Sequence, residues 1–138
     1  MLDESTEFGA HVGRRLREEH LMWLTTVRAD GTPLPTLVWF LWEANSFLIY
    51  SQPNKPKLRN IEQNPKVALN FNSDDQGGDM IIFNGEARIV TDVPPAHEHA
   101  AYLEKYRDDI AGIGMAPESF AQAYSVAIRV VPRVLRGH

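Results

Sequence analysis

Residues 34–42 (LPTLVWFLW) are apolar at almost every position, with no alternation between apolar and polar types. Successive side chains of a strand point to opposite faces, so neither face of such a strand suits open water. A small protein has few ways to hide both faces. A barrel wall covered from outside, for instance by a second subunit, is the arrangement that fits. The segment before it, residues 21–28 (LMWLTTVR), is rich in β-formers and runs into Ala29-Asp30-Gly31-Thr32. Asp-Gly between apolar runs predicts a tight turn, so the two segments should pair antiparallel.

The rest of the chain continues the β pattern with helices set between strands. A turn at residues 43–46 leads to a third strand at 47–51 (FLIYS). Residues 67–72 read as a fourth strand and 79–90 as a long fifth, with Gly85 as a bulge or bend. Residues 125–136 (SVAIRVVPRVLR) close the chain as a sixth, with Pro132 confining part of it to an edge or bulge.

Helical signals fall at four places. Phe8, Val12 and Leu16 make one stripe over 6–20, capped by Ser5 or Thr6, with His11 and Arg14, Arg15 and Arg17 on its wet side. Residues 54–64 read as a helix with Asn54 as cap, Pro56 in its first turn and Pro65 as its stop. Asp92 with Pro94-Pro95 opens a third, to about Tyr106, and Pro117 a fourth, to about Ala123. This order predicts a mainly β fold with peripheral α-helices: a six-stranded antiparallel barrel, closed or partly closed. No repeat or long linker divides the 138 residues, so one domain over 1–138 is expected.

Composition narrows the chemistry. The chain has no cysteine, which excludes disulfides, thiolate metal sites and a cysteine nucleophile. Its formal net charge of −4 argues against general nucleic-acid binding, which needs many phosphates neutralised. The start MLDESTEFGAH lacks the basic and apolar regions of a signal peptide, and no apolar stretch approaches the ~18 residues of a membrane span. A cytoplasmic location is the resulting expectation.

Residues 51–60 (SQPNKPKLRN) carry the most functional information. Lys55, Lys57 and Arg59 stand at the start of a predicted helix, the end that is already positive. Free backbone N–H groups and lysines together would make a phosphate site there. A solvated basic turn is the competing reading. Trp23, Trp39, Phe40 and Trp42 gather around the second strand, either as a wall for a planar ligand or as core and interface.

The five histidines offer no metal site. His97 and His99, two residues apart on a predicted helix, splay about 200° from each other. Gly112-Ile113-Gly114 lacks the rest of a dinucleotide fingerprint, and no Walker, G-x-S-x-G or H-E-x-x-H motif is present. No catalytic residue can be assigned. An enzyme built on this chain would take its reactivity from a bound cofactor.

Several segments, in order, resemble a known superfamily. They are residues 24–33 (LTTVRADGTP), 35–40 (PTLVWF), 51–65 (SQPNKPKLRNIEQNP) with Val67-Ala68-Leu69, and the ending Tyr124-Ser125-Val126-x-Ile128-Arg129-Val130-x-Pro132. Together they are similar to the flavin and deazaflavin split-barrel oxidoreductases, which include pyridoxine 5′-phosphate oxidase. The likeness covers about residues 10–136 and is greatest to the small F420-dependent group.

The resemblance implies a split β-barrel homodimer with two cofactor sites in the interface. It implies that Thr36, Leu37, Val38 and Trp39 run beside the tricyclic ring. Tyr50, Ser51 and Gln52 would lead to the phosphate, held by Lys55 and Lys57. The partner subunit would cover the ring with Phe71 or Phe83. The implied cofactor is coenzyme F420, and the implied reaction is hydride transfer from the reduced deazaflavin to an unsaturated small organic acceptor. FMN is the alternative cofactor, and a non-catalytic F420- or flavin-binding carrier the alternative function. The family often has arginine where this chain has Lys55, a point charge in place of a fork.

Overall fold

The computed structural model describes residues 1–138. In chain order its elements are α1 (Glu7–Glu18), β1 (Met22–Val27), β2 (Pro33–Val38), β3 (Leu41–Glu43), β4 (Ser46–Ser51), α2 (Pro56–Gln63), β5 (Lys66–Asn70), β6 (Ile81–Val90), α3 (Ala100–Gly112), α4 (Pro117–Ala123) and β7 (Val126–Gly137). The strands form one curled antiparallel sheet in the order β2-β1-β5-β6-β7-β4-β3.

The β1–β2 hairpin forms where the Asp-Gly signal places it. Gly31 takes φ 89, Arg28 N–H donates to the Thr32 carbonyl at 2.8 Å, and Asp30 Oδ1 accepts from Thr32 N–H at 2.9 Å. Positive φ at Gly31 costs little because it has no Cβ.

There are seven strands where six were expected, because the apolar run 34–42 is two strands. β2 pairs with β1 at one edge of the sheet and β3 pairs with β4 at the other. Trp39 and Phe40 carry the chain across. A crossing peptide loses its ladder partners and must find others. Phe40 finds them on α3. Its N–H donates to the Tyr106 hydroxyl at 2.8 Å, and its carbonyl accepts from Lys105 Nζ at 3.0 Å. The Tyr106 hydroxyl is also within donating distance of the His20 carbonyl (2.7 Å) and the Phe40 carbonyl (2.9 Å).

Within one chain, the strand covered on both faces is β4. Phe47 and Ile49 join the core inside the curl, with Leu24, Phe83, Ile128 and the α1 residues Val12 and Leu16. Leu48 and Tyr50 face the other way, into a second apolar cluster with Tyr102, Tyr106 and Ile110 of α3 and Phe120 of α4. β2 buries only its last residue and exposes Pro33, Pro35 and Leu37.

Other boundaries shift for local reasons. Pro94-Pro95 leads into one 3₁₀ turn (Ala96–Glu98), and α3 starts after His99, whose ring accepts from Tyr102 N–H at 3.3 Å. Thus His97 and His99 do not share one α-helix. Lys55, not Asn54, is the N-cap of α2, while Asn54 bends the chain at φ 63. The wet side of α1 is partly a tether. His11 Nε2 lies 2.7 Å from Asp79, and Arg15 donates to the carbonyls of Asn72 and Asp79. Phe71 and Phe83 are buried in the inner core, so neither can reach across to a partner's ligand.

The β6 ladder slips between Asn84 and Gly85, and Gly85 then faces Pro132 of β7, as a bulge requires. A Cβ at Gly85 would run into the Val131 carbonyl oxygen. Gly85→Ala is therefore expected to cost about 2–4 kcal/mol, read as a lower denaturation midpoint. An unchanged midpoint would show that the bulge has room to spare.

Candidate functional site

The C-terminal end of β2, the C-terminal end of β4 and the start of α2 converge on one cleft of about 310 Å³. β2 and the crossover contribute Leu37, Val38 and Trp39. β4 and its exit contribute Tyr50, Ser51 and Gln52. The start of α2 contributes Lys55 and Lys57. Thr36 is not among the walls. It lies two residues back from the end of β2, opposite Leu24.

One end of the cleft is cationic. Lys55 is exposed and Lys57 half-buried, and neither forms an ion pair with a carboxylate. Burial, and then the charge of Lys55, hold the Lys57 ammonium below the usual lysine range. Lys55 makes no side-chain capping bond. Two cations at the positive pole of a helix repel each other and the pole, and a bound anion would relieve both. Arg59 does not belong to this group. It lies with Arg28 along a separate groove.

The other end is aromatic. Trp39 stacks on Tyr106 at 4.9 Å and on Phe120 at 5.4 Å, and Phe120 stacks on Tyr124 at 4.4 Å. Of the four aromatics around the second strand, Trp39 alone lines the cleft. Trp23 bonds to Asn72, while Phe40 and Trp42 pack on Phe47.

Tyr50 and Tyr102 meet in the cleft wall, ring edge to ring face at 4.8 Å. The Tyr50 hydroxyl donates to the Pro94 carbonyl at 2.6 Å. Burial pushes its ionisation up to about 12, Glu43 adds to the shift, and Arg129 opposes it. Tyr102 has no exposed surface, and its hydroxyl has no partner.

Tyr102, Ile113, Phe120 and Tyr124 also line the cleft. Sequence reasoning missed Tyr102 and Phe120 as site residues, because aromatic residues on a helix read as core, and Ile113, which follows α3 directly, carries no signal of its own. Tyr124 stood in the family-like ending without a role. No three His, Asp or Glu side chains gather as metal ligands. His11, His20 and His99 each sit beside a different carboxylate: Asp79, Asp109 and Glu43.

A curled antiparallel sheet with helices packed on both of its faces and a cleft at its strand ends is the arrangement of a split β-barrel. Residues 9–138 match the model of the pyridoxamine 5′-phosphate oxidase family, and the chain belongs to that family. A search of the curated proteins finds no match.

Solved structures do match. An F420 reductase is 28% identical, with 89% of this chain and 94% of that one covered at a TM-score of 0.67. A conserved hypothetical protein from Mycobacterium tuberculosis is 20% identical over 95% and 82% of the two chains, at 0.74. A haem storage protein from Vibrio cholerae is 16% identical over 96% and 95%, at 0.67. The last two share the fold. No helix is long and apolar enough to cross a membrane.

Proposed function

We propose that the cleft holds coenzyme F420 and that the protein is an F420-dependent oxidoreductase acting on an unsaturated organic acceptor. The observation that carries this is a cationic pair without carboxylate partners at a helix start, at one end of an aromatic cleft. That donor set fits a phosphate joined to a planar ring. The 28% identity to an F420 reductase over most of both chains favours the deazaflavin over FMN.

Bound there, the deazaflavin would supply two-electron hydride chemistry, and a proton would complete reduction of the acceptor. Lys55 and Lys57 would hold the phosphate, with Tyr50, Ser51 and Gln52 on the path to it. Leu37, Val38 and Trp39 would lie along the ring and keep water away. Reduced F420 should be consumed by the protein when enones or quinones are added. Binding without turnover across such a panel would favour a carrier, a role closer to that of the haem storage protein of this fold.

We also propose a homodimer. Trp23 pairs with Leu37, Thr25 with Pro35 and with Ala68, and Asn70 with Ile82. These residues share the outward face of the sheet, and none is charged. Leu37 is 47% exposed and also lines the cleft, so a second copy on this face would close the cleft's open side. Sedimentation should give twice the 15.6 kDa chain mass. A monomer would contradict the closed site.

A further inference from the structure

Three of the tyrosines meet around one buried spot, and one of them is left unsatisfied. Tyr50 donates to the Pro94 carbonyl, and Tyr106 serves the Phe40 peptide. Tyr102, one helical turn before Tyr106, is fully buried and has a hydroxyl with no partner. The other buried side-chain atom in this state is His97 Nδ1, on a ring that is 33% exposed. A buried hydroxyl without a partner costs stability, and a phenylalanine would fill the same space. Tyr102 lines the cleft, where a ligand could supply the missing partner.

We infer that the Tyr102 hydroxyl is a hydrogen-bond donor held for the ligand of the cleft, which must present an acceptor atom, a carbonyl oxygen or unprotonated ring nitrogen, at the cleft floor. This rests on the cleft being a binding site for a ring-bearing cofactor. Burial pushes the phenol's ionisation well above the usual tyrosine range, and neighbouring tyrosines act in the same direction, so it remains a donor. Water does not reach it, so the ligand's acceptor would not compete with solvent. The hydroxyl itself is closed off, so a ligand reaches it only if part of the cleft's lining yields. Ile113 is 51% exposed and lines the cleft, and it sits between Gly112, whose Cβ position is open, and Gly114 at φ 78.

The test is Tyr102→Phe, read two ways. Without ligand its thermal midpoint should rise by about 2–6 °C, since an unsatisfied buried group is removed. Its affinity for F420 and for FMN should fall about 10-fold, and riboflavin, which has the ring but no phosphate, should show the same fold-loss. A structural role would lower the midpoint instead. Unchanged affinity for all three ligands, or a lower midpoint, would overturn the inference. Failure of the unaltered protein to bind any of them would instead overturn the cofactor reading. The midpoint would then decide the hydroxyl by itself, a rise showing that it is unpaired in the fold and a fall that it is not.

Discussion

Replacing Lys55 and Lys57 together by alanine is expected to weaken binding of F420 and FMN about 100-fold, with riboflavin affinity changed less than twofold. A hydrogen bond to a charged group is worth about 1.5–3 kcal/mol. The exposed Lys55 belongs at the low end because solvent and salt screen it. A joint loss near 3 kcal/mol is roughly a 100-fold change. The riboflavin arm matters because it separates loss of phosphate contact from collapse of the cleft. The free variant should be no less stable than the parent, since two like charges leave the positive end of a helix. Parental FMN and F420 affinity in the double variant would place the phosphate elsewhere, and the Arg28 and Arg59 groove would be the next candidate.

The second large effect concerns the crossover. Tyr106→Phe is expected to destabilise the fold by about 2–3 kcal/mol, with a thermal midpoint lower by roughly 10 °C. The ring would stay against Trp39, but the buried Phe40 N–H would lose its acceptor. Lys105 cannot replace it, because an ammonium only donates, and it already serves the Phe40 carbonyl from above the Phe40 ring. Trp39 is the next residue along, so the variant should also weaken binding in the cleft. A midpoint within a degree or two of the parent's would mean that the crossing peptide is satisfied by other means.

Tyr106 and Tyr102 lie four residues apart on α3 and respond oppositely to the same change. Loss of one hydroxyl should unfold the protein more easily, and loss of the other should do the reverse. The difference follows from which of them has a partner inside the chain.

Much of the fold was legible because its signals are local. Asp30-Gly31 set the first hairpin, Gly85 the bulge, and Pro56 the first turn of α2, each through backbone conformations that neighbouring residues cannot hide. The lysines were legible for the same reason, since a helix start and its charges adjoin in sequence. The break at Trp39-Phe40 was not. Apolar content does not record a crossing from one sheet edge to the other, and the partners that make it possible lie 65 and 66 residues away.

Arg59 is near Lys55 and Lys57 in sequence only. Two residues along a helix turn a side chain about 200°, which puts Arg59 away from Lys57. Tyr102 and Phe120 gave no signal, because what sets them apart is a cleft built by distant strands. Phe71 and Phe83 show the limit of carrying roles over by resemblance, for both are core.

Titration of the purified protein with F420 and with FMN, followed by quenching of each ligand's own fluorescence, bears most directly on the proposed function. The expected result is saturable binding of F420, tighter than FMN and weakened by salt, as a lysine-held phosphate requires. Tighter binding of FMN would overturn the deazaflavin assignment, and binding of neither would show that the cationic, aromatic cleft is not a cofactor site.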